Sequence, residues 1–178
     1  MKANFDGAVF IGTSLDGFIA RENGDLEWLT GTDLDMDSTG YNEFFGSVDA
    51  LVIGRKTFET IAGFEEWPYS GKRVLVLSRS LEEVDAPRTS VHRNLEEVVA
   101  TLDAEGVGRV YVDGGKTIQA FLREGLIREI TISRAPVLIG SGIPLFGPLE
   151  ADVQLRHTAT RELGAGFVQS TYEVIPPS

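Results

Sequence analysis

Three short apolar runs, each closed by a glycine or a polar turn and each followed by helical spacing, constrain this chain more than any other feature. They are Val48-Asp49-Ala50-Leu51-Val52-Ile53 before Gly54, Arg73-Val74-Leu75-Val76-Leu77-Ser78, and Arg109-Val110-Tyr111-Val112 before Gly114-Gly115. Brief β-branched runs bounded by turn residues read as strands buried on both faces. Between and after them come helical stripes. Phe58, Ile61 and Ala62 share one face over 57–62; Leu95, Val98, Val99 and Leu102 share another; Ile118, Phe121 and Leu122 a third. Asn94 has the place of an N-cap, with Glu96 and Glu97 in the first turn where the helix dipole favours acids. Strands alternating with helices predict an α/β fold with a mostly parallel central sheet.

The remaining pattern completes that sheet. Ala8 to Ser14 predicts an opening strand, an irregular bend at Leu15-Asp16-Gly17 leads to Phe18-Ile19-Ala20, and the spacing predicts a helix over 33–46 ending near Gly46. Val91 marks a short strand. Glu129 to Ser133 predicts another, extended past Pro136 through Val137-Leu138-Ile139. Val153 to Glu162 and Phe167 to Ile175 predict a closing hairpin around Gly164-Ala165-Gly166, hence an antiparallel edge. No repeat, low-complexity tract or linker interrupts the pattern, so one domain over residues 1–178 is expected.

Composition removes several function classes. A formal net charge of −11 argues against a general nucleic-acid binder, whose affinity comes largely from basic surface. It leaves room for a phosphate-bearing small ligand, which needs only a local cluster of donors. Cysteine is absent, which removes disulfides, thiolate chemistry and cysteine-based zinc sites. Two scattered histidines, His92 and His157, make a poor case for a metal site or a histidine triad. No apolar run approaches the roughly 20 residues a membrane span needs, and the N-terminus lacks a signal peptide's apolar stretch. A cytoplasmic protein with no membrane partner is the expectation.

Ligands of open α/β sheets gather at the carboxyl ends of the strands, and three segments bring suitable residues there. At Gly54-Arg55-Lys56-Thr57 a buried strand breaks and turns at once into a helix, whose first N–H groups can meet an anion. The same residues also read as a glycine turn with two solvated bases. Leu77-Ser78-Arg79 puts a hydroxyl and a guanidinium at a strand end, which suits a ribose phosphate, though taken alone the segment reads first as an ordinary polar loop. Gly114-Gly115-Lys116-Thr117 lets a ligand approach the backbone of a helix start. A Walker A loop ending in Gly115-Lys116-Thr117 would need glycine where Val110 stands, and no Gly-x-Gly-x-x-Gly run occurs. A dinucleotide site in this chain therefore needs another architecture.

In their order and spacing, these segments resemble the dihydrofolate reductase superfamily. More closely, they resemble the reductase domain of bacterial riboflavin biosynthesis proteins and its stand-alone relatives. The likeness runs through Ser14 to Ala20, Leu26-Glu27-Trp28-Leu29, Ile53 to Thr57, Trp67-Pro68, Leu77-Ser78-Arg79, Val112 to Lys116 and Pro136 to Gly147. It implies a dihydrofolate-reductase-like α/β fold with a mixed, mostly parallel sheet of about eight strands, and NADPH as cofactor. By position, Gly54, Arg55, Lys56 and Thr57 would contact cofactor phosphates. Leu77, Ser78 and Arg79 would lie near the adenosine 2′-phosphate. Gly114, Gly115, Lys116 and Thr117 would cradle the diphosphate. Thr13, Asp16 and Ile19 would lie near the nicotinamide and the substrate. A homodimer is a further expectation from the resemblance alone.

The substrate is less legible, because hydride transfer asks the protein mainly to orient two rings and exclude water. The resemblance implies a small heterocyclic or ribosyl-linked molecule; Trp28, and Ser133 in the strand before Pro136, are the candidate substrate contacts. Ser133 also reads as a routine sheet-end serine. True dihydrofolate reductases hold one buried carboxylate under the pterin, shortly after a tryptophan; Asp33 follows Trp28 by five residues. Asp33 also clusters with Asp35 and Asp37 as a solvated helix start. Asp16 can orient substrate or cap its own turn. Three functions stay open: a reductase of the riboflavin type, a true dihydrofolate reductase using Asp33, and an NADPH-binding protein without catalysis.

Overall fold

The computed structural model describes residues 1–178. Its strands are β1 (Asp6–Thr13), β2 (Phe18–Ala20), β3 (Ala50–Gly54), β4 (Arg73–Leu77), β5 (Thr89–His92), β6 (Arg109–Asp113), β7 (Ile127–Arg134), β8 (Ile143–Pro144), β9 (Leu155–Gly164) and β10 (Phe167–Val174). Its α-helices are α1 (Glu27–Thr30), α2 (Tyr41–Ser47), α3 (Arg55–Ala62), α4 (Leu95–Ala104) and α5 (Gly115–Arg123).

Eight strands form one sheet in the order β5-β4-β3-β6-β1-β7-β10-β9. From β5 to β7 every neighbour is parallel. The closing hairpin β9–β10 adds the antiparallel edge against β7. The mostly parallel sheet with an antiparallel edge is thus as the sequence pattern predicts, and its eight strands are as the resemblance implies. A small separate ribbon pairs β2 with β8.

Side-chain alternation along the strands builds two cores, one on each face. Val9, Val52, Leu75, Val110 and Val112 point to the side covered by α4 and α5, where Val98, Leu102, Ile118 and Phe121 meet them. Ala8, Leu51, Ile53, Val74, Val76 and Tyr111 point to the other side, against Phe44 of α2 and Phe58 and Ile61 of α3. Each such apolar side chain contributes about 1.5–3 kcal/mol on burial. No helix is long and apolar enough to cross a membrane.

Two expected elements differ. The helix predicted over 33–46 is broken: Met36–Thr39 is a 3₁₀ turn, and Gly40, at φ 82°, separates it from α2. A left-handed residue ends any right-handed helix. The strand predicted through 137–139 is absent, because its backbone groups are engaged elsewhere. Val137 donates back to the Ala135 carbonyl at 2.8 Å and its own carbonyl accepts Leu15 N–H at 2.8 Å. The amides of Ile139 and Gly140 go to the Asp16 carboxylate, at 3.2 and 2.8 Å.

Candidate functional site

Parallel β3 and β6 lie side by side, so the helices that follow them start side by side. Gly54 and Gly114 mark the two junctions. Gly114 has φ 100°, a conformation that side chains resist. A Cβ there would lie 3.2 Å from Thr57 Oγ1, and one on Gly54 would lie 3.0 Å from Thr117 Oγ1. The structure therefore brings Gly54, Thr57, Gly114 and Thr117 into one place. Neither α3 nor α5 has a side-chain N-cap, so both leave first-turn N–H groups open. By contrast α4 is capped, with Asn94 Oδ1 accepting Glu97 N–H at 2.9 Å. Lys116 is exposed beside the α5 start. The second glycine of the pair, Gly115, is buried under protein. Its absent Cβ leaves room for the Pro144 carbonyl oxygen, 2.8 Å away, and for Ile19 Cδ1 of β2, 3.3 Å away.

The end of β4 opens into a cleft of about 340 Å³ whose polar lining is Ser78, Arg79, Arg93, Asn94 and Arg123, with the acids Glu96 and Glu124 also on its wall. Ser78 Oγ accepts the amides of Ser80 and Leu81, at 3.2 and 3.1 Å, which fixes the loop. Arg79 extends into solvent. Arg93 braces the loop by donating to the Ser78 and Leu81 carbonyls. Arg93 and Arg123 were not singled out from sequence; they lie 14 and 44 residues beyond Arg79, and only the fold makes them neighbours. Arg55 and Lys56 are exposed on α3, with Arg55 Nη1 paired to Glu59 at 3.0 Å.

Thr13 is buried at the end of β1, its carbonyl accepting Ala135 N–H at 2.8 Å. Asp16 is exposed and clasps the loop after β7. The Ser14 hydroxyl beside it and the amides of Gly140 and Ile139 hold its carboxyl below the usual carboxylate range. Trp28 is half-buried on α1, and its Nε1 is a buried donor with no partner. Asp33 lies exposed between α1 and the 3₁₀ turn, so it is no buried carboxylate. Ser133 is buried and accepts Gln169 Nε2 at 3.0 Å.

The carboxylate that the fold does enclose is Asp113, the last residue of β6. Its Oδ1 accepts Gly114 N–H at 2.9 Å. Some solvent still reaches it, but protein atoms crowd the carboxyl, and burial pushes its pKa up to about 6. Tyr41, Tyr69 and Tyr111 surround it. Burial and then the Asp113 charge push Tyr41 up to about 12, and the same causes raise Tyr69 and Tyr111. An acid closing an apolar strand just before paired glycines is the mark Asp113 leaves in the sequence; the crowding that raises its pKa comes only with the fold. No group of three or more histidine or acidic side chains comes together to hold a metal ion.

This sheet order, with helix starts and polar loops meeting at the carboxyl edge, defines the dihydrofolate-reductase-like class of α/β fold. The family of the RibD C-terminal domain matches residues 8–169, and the chain belongs to that family. It is 33% identical over 159 residues to the uncharacterised YwjB of Bacillus subtilis (strain 168), covering 88% of this chain and 91% of that one. A solved structure from Shewanella sp. PV-4, named "putative riboflavin biosynthesis protein", is 38% identical with a TM-score of 0.86, covering 97% of this chain and all of that one. The Thermotoga maritima diaminohydroxyphosphoribosylaminopyrimidine deaminase/5-amino-6-(5-phosphoribosylamino)uracil reductase shares the fold. Its TM-score is 0.70 at 16% identity, over 97% of this chain and 57% of that one. Family and structural neighbours are of the RibD reductase type.

Proposed function

We propose that the chain is an NADPH-dependent reductase of the riboflavin-biosynthesis type, with residues 1–178 working as one cytoplasmic domain on a small heterocyclic or ribosyl-linked substrate of the pyrimidine or pterin kind. The observation that carries this reading is the pair of uncapped helix starts meeting at Gly54 and Gly114 beside the arginine cleft. Two helix N-termini suit a diphosphate, with Thr57, Thr117 and Lys116 as further donors. Arg79, with Arg123 and the loop-bracing Arg93, suits a 2′-phosphate, since guanidinium grips phosphate through two bonds. The exposed Arg55–Glu59 pair is worth under about 1 kcal/mol, so Arg55 is free to turn to a phosphate as well. A nicotinamide held along this edge supplies a hydride.

The chain's own residues would do the rest. Thr13 and Ile19 wall the ring end, and the unpartnered Trp28 Nε1 offers a donor to substrate. Asp113 is the acid suited to give the substrate's heteroatom a proton as the adjacent carbon is reduced. Its pKa near 6 keeps part of it protonated close to neutral pH, where a general acid works best. Asp16 serves the loop, and Asp33, being exposed, is not the reacting carboxylate in this reading.

Fluorescence titration tests the cofactor site. NADPH is expected to bind much more tightly than NADH. Arg79→Ala should weaken NADPH by about 10- to 100-fold, the value of a charge-assisted bond, and leave NADH unchanged. Equal affinity for both nucleotides, or none for either, removes the assignment. Tight NADPH binding without turnover of dihydrofolate or 5-amino-6-(5-phosphoribosylamino)uracil favours a binding protein instead. We also infer a homodimer: β9 is a ten-residue edge strand, exposed along almost all its length, and such an edge invites a second strand. Light scattering should give twice the chain mass; a monomer at micromolar concentration rules it out.

A further inference from the structure

We propose that Arg161 and Gln169, on the closing hairpin, are positioning residues for the substrate side of the site: together they hold the Thr39-Gly40 turn and so set the place of α2 against Asp113. The inference rests on the reductase reading for its functional meaning and, for its geometry, on a hydrogen-bond network that is buried at Thr39, Ser133 and Gln169 and reached from the surface by Arg161.

The network is fully connected. Gln169 Nε2 uses both hydrogens, donating to the Thr39 carbonyl at 2.9 Å and to Ser133 Oγ at 3.0 Å. Its Oε1 accepts Arg161 Nε at 2.9 Å. Arg161 Nη2 donates to the same Thr39 carbonyl at 2.6 Å. Thr39, Ser133 and Gln169 are 3%, 7% and 5% exposed, respectively. Two strands, β9 and β10, thus converge on one carbonyl more than 120 residues earlier in the chain, and Ser133 of β7 braces Gln169 from behind. A lone buried carbonyl needs one donor; a planar arginine fork plus an amide fixes it in direction as well.

What that carbonyl controls is the start of α2. Gly40 follows it at φ 82°, and a Cβ there would lie 2.9 Å from Arg161 Nη2. The guanidinium fills the space a side chain would take. The Gly40 carbonyl then accepts Phe44 N–H at 3.0 Å, opening the helix. With seven residues and no side-chain cap, α2 is too short to hold itself, so tertiary contacts place it. Its first residue is Tyr41, whose ring meets Tyr111 at 6.2 Å and Phe10 at 5.9 Å and whose hydroxyl belongs to the group around Asp113. Ser133 in turn acts through Gln169 as part of the lock.

Hydrogen exchange on the 178-residue chain, read by mass spectrometry, tests the lock. In Arg161→Ala, amides of 40–47 should exchange about tenfold faster or more, with α4 and α5 unchanged and NADPH affinity intact. KM for 5-amino-6-(5-phosphoribosylamino)uracil should rise more than kcat falls. Arg161→Lys, which keeps a donor for the Thr39 carbonyl, should recover most of the protection. Unchanged exchange over 40–47 overturns the proposal. So does equal acceleration throughout, which would make the network an ordinary stabiliser. Should Arg161→Ala not fold, Arg161→Met, which keeps the stem and loses the donors, decides: acceleration confined to 40–47 supports the lock, and none refutes it. A wild-type chain that neither binds NADPH nor reduces the probe defeats the reductase reading, while the exchange result still stands or falls by itself.

Discussion

Asp113→Asn should make the protein more stable at pH 8 and nearly inactive. The carboxyl titrates near 6 in the folded chain against an ordinary 3.8. Between those values the folded state holds a proton that the unfolded state has released. The group's contribution to stability is therefore complete below about pH 4, shrinks as pH rises, and is lost above about pH 6. The charged form then costs on the order of 2 kcal/mol, allowing for the solvent that still reaches it. Asparagine has no proton to lose. Urea unfolding should give variant and wild type similar stabilities at pH 4, with the variant ahead from pH 6 upward. Loss of a general acid should lower kcat by about 10²–10⁴, with NADPH affinity unchanged. A variant that keeps wild-type turnover would take Asp113 out of the mechanism. A variant no more stable at pH 8 than wild type would mean that the carboxyl is better solvated than its surroundings imply.

Gly114→Ala should damage stability and nucleotide binding together. The backbone at φ 100° and ψ 133° is close to a region reserved for glycine, at a cost of about 1–3 kcal/mol for any side chain. The new methyl would also press on Thr57 Oγ1 at 3.2 Å and lie 3.7 Å from the Gly54 amide, where the two helix starts converge. We expect a fall of about 2–4 kcal/mol in unfolding free energy and at least about a tenfold loss of NADPH affinity, since the anion's place is partly filled. Gly106→Ala is the control. It has φ 70° and nothing within 4 Å of its would-be Cβ, so it should cost about 1–2 kcal/mol and leave the nucleotide untouched. If both variants bind NADPH like wild type, the diphosphate lies elsewhere.

The strands were legible because parallel strands are buried on both faces and so leave continuous apolar runs, as at Leu51-Val52-Ile53 and Val74-Leu75-Val76. The Asn94 cap and the glycine-centred hairpin are local devices, readable from a few neighbouring residues. The break at Gly40 was not readable, since what holds that turn is Arg161 and Gln169 from the far end of the chain. The same holds for 137–139, whose apolar residues look like a strand but whose amides answer to Asp16. Of the site, the phosphate-type loops were visible because glycine and arginine stand at strand ends. Asp113 was not, because its environment is completed by Tyr41 of α2 and Tyr69 of the loop between α3 and β4, which only the fold brings to Tyr111 and Asp113 on β6.

The sheet order has a consequence for synthesis. β1 lies between β6 and β7, and Gly7 pairs with Val110 and Ile127. On the ribosome β1 has no sheet neighbour until about 100 more residues are made, and closing so large a loop is slow. β3 and β4 meet far sooner. An apolar strand, Ala8-Val9-Phe10-Ile11, therefore waits unpaired while those residues are made, at a rate of about 5–20 residues per second. For several seconds per molecule, the yield of this protein depends on what keeps that segment from finding another nascent chain first.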